Sequence, residues 1–281
     1  MSINKLFKRV EERGPICVGL DPNLDHLPDF VKDLSVEEKI FSYNKAIIDA
    51  THDLVAVYKP QAAYYEGAGL EGLTAYKRTL EYLRKKDALT INDVKRSDIS
   101  STASQYAKAY FEGDYEGDFV TLNPYMGLDS IEPYMEYVEK KNKGLFVIIK
   151  TSNPGSADFE ELMVGDEPLY MNIGKKICQM AGNSVNESGY RNIGFVIGAT
   201  NKNANEGKII RETFKDVFFL IPGYGAQGGG AHDAMELLND GNGGVVNSSR
   251  GIIRAFEKSE KSFEEATREA VEKMRRDFNV I

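Results

Sequence analysis

The stretch Thr90-Ile91-Asn92-Asp93-Val94-Lys95-Arg96-Ser97-Asp98-Ile99-Ser100-Ser101-Thr102 begins as an apolar strand and ends in charge. Side chains alternate along a strand, so Asp93 and Lys95 are expected on one face, while Asp98 opens the next loop or helix start. Two acids and a base then meet at one strand end. Taken alone, the same residues also fit a surface ion pair followed by an ordinary helix N-cap at Asp98. Only the surroundings separate these readings.

Outward from this stretch, short apolar runs alternate with longer helical ones. Strands are expected over residues 16–21, 54–59, 89–95, 119–123, 145–150, 193–198, 217–221 and 244–247. Between them, apolar residues recur at helical spacing from Val36 to His52, Leu70 to Arg84, Leu169 to Val185 and Phe263 to Phe278. Continuously apolar strands separated by amphipathic helices imply a parallel sheet covered by helices. Eight such repeats without a break in composition favour an α/β fold of the closed (β/α)8 TIM-barrel type, as a single domain over residues 1–281. A long connection, Asn153 to Pro168, follows the fifth strand and fits either a lid or a surface insertion.

Catalytic side chains of such barrels sit at the C-terminal strand ends. Here those ends read Asp21, Lys59, Asp93 with Lys95, Asn123, Lys150 with Ser152, Thr200 and Arg250. Charged groups converging on a barrel axis are costly to bury unpaired, which favours a functional reading of Asp93, Lys95 and Asp98. The seventh strand runs into Pro222-Gly223-Tyr224-Gly225-Ala226-Gln227-Gly228-Gly229-Gly230, with a helix from about Ala231. Glycines permit close backbone approach, so their N–H groups can surround an anion. Arg250, after the eighth strand, can grip a phosphate with two parallel hydrogen bonds. A phosphorylated small molecule is the expected ligand.

Composition narrows the partners. The 281 residues carry a formal charge of -8 and no Lys/Arg-rich block, which argues against nucleic acid or an anionic membrane. No apolar run approaches the ~20 residues that span a bilayer, and the N-terminus lacks a signal-peptide core, so a cytoplasmic protein is expected. Cys17 and Cys178 form no paired motif, and His26, His52 and His232 are scattered, so neither a disulfide framework nor a metal site is expected.

Gly19-Leu20-Asp21, Lys59, Asp93-Val94-Lys95-Arg96-Ser97-Asp98-Ile99 with Thr102, Pro222-Gly223-Tyr224-Gly225-Ala226-Gln227 and Arg250 together resemble the orotidine 5'-phosphate decarboxylase family, in its longer bacterial-type branch. The resemblance covers essentially the whole barrel. Its most specific part is D-x-K-x-x-D-I-x-x-T followed by P-G-x-G-A-Q and the final arginine. It implies conversion of orotidine 5'-phosphate to uridine 5'-phosphate, the last step of de novo UMP synthesis, with no cofactor and no metal. Lys59, Asp93, Lys95 and Asp98 would form an alternating charged network, in which Lys95 stabilises the C6 carbanion and donates the proton. Asp98 and Thr102 would enter the neighbouring site of a homodimer, and Ile99 would line the substrate site. Asp21 would bind ribose hydroxyls, with Gln61 assisting, Ser152 the pyrimidine edge, and Gln227 and Arg250 the phosphate.

Three other readings stay open at this level. A magnesium-dependent sugar-phosphate lyase or decarboxylase shares the D-x-K-x-x-D core. A Schiff-base aldolase would use Lys150 or Lys95. A nucleotide-phosphate sensor would use the barrel only to bind.

Overall fold

The structure, a computed structural model, describes residues 2–199, 205–224 and 230–280. The eight expected apolar runs are eight parallel strands: Ile16–Leu20, Val57–Pro60, Leu89–Arg96, Phe119–Leu122, Gly144–Lys150, Ile193–Ile197, Phe219–Ile221 and Gly244–Ser248. Each pairs with its neighbours in sequence, and the eighth closes on the first through Ile16 opposite Val246. This is the closed (β/α)8 barrel that the alternation predicts.

Element ends differ from expectation where backbone geometry intervenes. The second strand starts at Val57 rather than Leu54, and the seventh at Phe219 rather than Val217. The buried residues before them, Val55 and Val217, belong to connections and pack in the core shared with the helix layer. The helix expected to run to Val185 stops at Met180, because Gly182 takes a left-handed φ of 69° that ends it. Helices Val36–Thr51 and Phe263–Asp277 match the periodicity closely. Both have side-chain caps: Ser35 accepts from Glu38 N–H, and Ser262 and Glu265 cap each other. The connection after the fifth strand folds as a 3-10 turn, Pro154–Asp158, and a short hairpin of Met163–Val164 with Glu167–Pro168.

Strand alternation divides the core in two. Ile16, Val18 and Leu20 face the helix layer with Tyr43, Ile47 and Tyr65. Cys17, Val57, Leu89, Ile91, Phe119 and Phe146 fill the barrel interior, and the N-terminal helix Ser2–Arg13 plugs the bottom with Ile3, Leu6 and Val10. The inward rows turn polar as they rise: Val57 gives way to Lys59, Ile91 to Asp93, Phe119 to Thr121. An apolar floor thus carries a polar mouth.

Packing at this floor leaves no slack. A Cβ at Gly194, on the sixth strand, would stand 2.6 Å from Phe146 Cε1 and from the Phe218 carbonyl oxygen. Gly194→Ala is expected to destabilise the protein by about 1–3 kcal/mol through overpacking, measured by urea unfolding. Unchanged stability would show that the interior can relax.

Candidate active site

The mouth encloses a cavity of about 300 Å³ lined by Asp21, Lys59, Gln61, Asp93, Lys95 and Arg250. Asp93 is its centre. The carboxylate is 5% exposed and accepts four hydrogen bonds, from Lys59 Nζ at 2.7 Å and Gln61 Nε2 at 2.9 Å on Oδ2, and from Lys95 Nζ at 2.6 Å and Thr121 Oγ1 at 3.0 Å on Oδ1. A carboxylate has about four lone-pair positions, so this one is saturated.

Its electrostatics follow from that clasp. Burial pushes the Asp93 carboxyl up, but the Lys59 and Lys95 ammonium groups outweigh burial and hold it well below the ordinary carboxylate range. Burial likewise pulls Lys59 down, yet Asp93 and then Asp21 raise it above the ordinary lysine range. Both groups are therefore charged across the physiological range. Cys17, below Lys59, is a thiol pushed up to about 12 by burial, and it is inert filling rather than a nucleophile.

Lys95 reaches this position by a route that simple alternation does not supply. Its φ is +47°, in the left-handed region that L residues seldom occupy. Between the Asn92–Val120 and Arg96–Leu122 pairs, the third strand bulges around Thr121. Lys95 and Asp93 do share a side of the sheet, as expected, but through a bulge.

The other expected site residues divide. Ser152 joins Asp21, Gln61 and Arg250 on the cavity wall, with Thr151, Asn153, Asn247 and Ser249 beside them. One Asp21 oxygen, Oδ1, is buried there without a hydrogen-bond partner. Asp98, Ile99 and Thr102 do not line this cavity. Asp98 accepts a hydrogen bond from the Ile99 N–H, and the helix Ser100–Phe111 that follows has no side-chain cap, so Asp98 is not its N-cap. Ile99 is 40% exposed and Thr102 lies on the outer surface. Gln227 and Thr200 lie outside the described residues.

Two strand-end residues point elsewhere. Asn123 turns back to accept from the Tyr125 N–H. Lys150, 1% exposed, leaves the barrel axis to pair with Glu206 at 3.3 Å beside the Tyr170 ring. The fifth strand shifts register between Ile148 and Lys150, which reverses the expected face. Gln61, which the family resemblance places near the ribose, donates its amide to Asp93 here, and Thr121, which the two-residue repeat from Phe119 puts inside, joins the site without any motif marking it.

Fold and site define a class: a (β/α)8-barrel enzyme whose mouth sets a carboxylate clasped by two lysines in one cavity with an arginine. The sequence pattern of the orotidine 5'-phosphate decarboxylase / HUMPS family matches residues 14–264. Orotidine 5'-phosphate decarboxylases of Clostridium novyi (strain NT) and Clostridium acetobutylicum are each 53% identical to this chain, covering 98% of it and 98% of their own length. The chain belongs to that family. Among solved structures, Leishmania donovani OMP decarboxylase is 30% identical with a TM-score of 0.78, covering 99% of this chain and 97% of its own. Plasmodium berghei orotidine 5'-monophosphate decarboxylase is 26% identical with a TM-score of 0.77, covering 98% of each chain.

Removing the central carboxylate tests the pairing. Asp93→Asn leaves buried Lys59 without its hydrogen-bonded carboxylate, with Asp21 as its remaining acid, and is expected to cost about 3–5 kcal/mol at pH 7, read by urea unfolding. The native Asp93 carboxyl sits below its unfolded value, so the wild-type advantage is complete above about pH 4 and shrinks as pH falls below it. Native Lys59 sits above its unfolded value, so its share is complete below about pH 10 and is lost as pH rises beyond that. A variant as stable as wild type at pH 7 would contradict this account of the pair.

Proposed function

We propose that this chain, acting as a single barrel domain, decarboxylates orotidine 5'-phosphate to uridine 5'-phosphate without cofactor or metal. The observation that carries the reading is the Lys59–Asp93–Lys95 clasp sharing one cavity with Arg250. Both Clostridium relatives carry the decarboxylase name over nearly their full length, which favours this substrate over a sugar phosphate.

The chemistry follows from where charge develops. Breaking the bond between C6 of the pyrimidine and its carboxylate releases CO2 and leaves the electron pair on C6. On the cofactor-free reading, that pair must be met by a cation already in place. The Lys95 ammonium stabilises that pair and transfers a proton to C6, giving uridine 5'-phosphate, and the lysine regains a proton from solvent. Asp93, with its lone pairs occupied, serves as fixed negative charge rather than as a base. It holds Lys95 in place and repels the substrate carboxylate until CO2 departs.

Binding surrounds that step. Asp21 has a buried oxygen free to accept from ribose hydroxyls, with Gln61 near it, and Ser152 meets the pyrimidine edge. Arg250 holds the phosphate together with Gln227, which also bridges toward the base. A reaction this slow unaided demands a barrier reduction toward ~23 kcal/mol, which one lysine cannot supply. Phosphate binding contributes by driving closure of the mouth over the charged network.

Asp98 and Thr102, which do not line their own cavity, complete the neighbouring site in a homodimer, and Ile99 lines the substrate site. Cytoplasmic residence fits the free cysteines, and among the described residues no helix is long and apolar enough to cross a membrane.

Ultraviolet-monitored turnover of orotidine 5'-phosphate tests the reading, in the presence of a chelator. Wild type should turn over, Lys95→Ala should lose about 1,000-fold or more in kcat, and Arg250→Ala about 100-fold in kcat/KM with its fold intact. A wild-type protein with no activity, or a fully active Lys95→Ala, would refute the reading. For site sharing, Lys95→Ala and Asp98→Ala chains, each inactive alone, should regain up to about a quarter of wild-type activity when mixed and reassociated. No recovery in a mixture shown to contain heterodimers would place Asp98 outside the partner's site.

A further inference from the structure

Thr121 is fully buried in the fourth strand, and its one hydroxyl serves three partners. Oγ1 accepts from Val94 N–H at 3.0 Å and from Lys95 N–H at 2.9 Å, and it donates to Asp93 Oδ1 at 3.0 Å. A hydroxyl has one hydrogen and two lone pairs, so its capacity is used up and its orientation is forced. The two backbone donors lie in the bulge, where Asp93, Val94 and Lys95 on the third strand oppose Thr121 alone on the fourth. Val94 is buried, so its N–H has no water to fall back on.

The same three residues carry the strain and the charge of the site. Lys95 holds φ at +47°, a conformation unfavourable for an L residue, which persists only where the surroundings enforce it. Its ammonium then returns 2.6 Å from the Asp93 oxygen that Thr121 also contacts. A backbone bond and a side-chain bond from one atom thus fix both ends of the Lys95 side chain relative to Asp93.

We propose that Thr121 is the positioning residue of this site: its hydroxyl holds the left-handed backbone at Lys95 and the Asp93 carboxylate together, and so aims the lysine ammonium into the cavity. The rate readout rests on the decarboxylase reading above. Thr121→Val keeps the shape of the side chain and removes the hydroxyl. Thr121→Ser keeps the hydroxyl and removes the methyl. Thr121→Ala leaves room for a water at the two N–H groups, and replaces the valine variant in every comparison if that one does not fold.

The test measures kcat and KM for orotidine 5'-phosphate in wild type and variants, alongside crystal structures of wild type and Thr121→Val. Thr121→Val should lose about 100-fold in kcat with KM within about threefold of wild type, because the phosphate grip is untouched while the lysine is misplaced. Thr121→Ser should stay within about threefold of wild type in kcat. The crystal structure should show Lys95 leaving the left-handed region or its Nζ moving off Asp93. Wild-type kcat in folded Thr121→Val, or equal losses in Thr121→Ser and Thr121→Val, would overturn the proposal. Absence of turnover in wild type would count against the decarboxylase reading instead, and the Lys95 geometry in the two crystal structures would then decide the role of Thr121 by itself.

Discussion

A buried carboxylate is the constraint around which this barrel mouth is arranged. Asp93, 5% exposed, can remain ionised only because Lys59 and Lys95 each hold one of its oxygens. Lys59, 4% exposed, in turn needs Asp93 and Asp21 to keep its proton. Neither charge is tolerable without the other, so the network is retained as a unit. Its cost is met by an apolar interior below and by Gln61 and Thr121, which fill the remaining lone pairs.

The clasp also explains how the roles divide. A carboxylate with four donors has no capacity left to take a proton from substrate, so it acts through charge and position. Lys95 differs from Lys59 in exposure: its side chain is 46% accessible against 6%. The buried lysine secures the carboxylate, and the accessible one is free to meet a ligand. Arg250 and Ser152 line the same cavity.

Two bulges determine which lysine serves the cavity. In the third strand a bulge against Thr121 bends the chain so that Lys95 returns to Asp93. In the fifth strand a shift after Ile148 sends Lys150 outward, where Glu206 and Tyr170 hold it in the helix layer. That placement removes Lys150 from the list of imine-forming candidates, since the ammonium is paired and away from the pocket. Irregular pairing at the rim thus selects among chemically equivalent side chains.

The eight strands, most helix limits, and the convergence of Asp21, Lys59, Asp93, Lys95 and Arg250 were legible in the residues themselves, because alternation and periodicity are local properties of the chain. That Asp98 does not line the cavity beside Asp93 and Lys95 was not legible in its spacing, since nothing there forbids an inward pose. The outward turn of Lys150, the hydrogen bond of Gln61 to Asp93 and the threefold service of Thr121 were decided by tertiary structure alone. Each depends on how one strand pairs with its neighbour, and a register shift of one residue, invisible in composition or periodicity, reverses the face on which a side chain emerges.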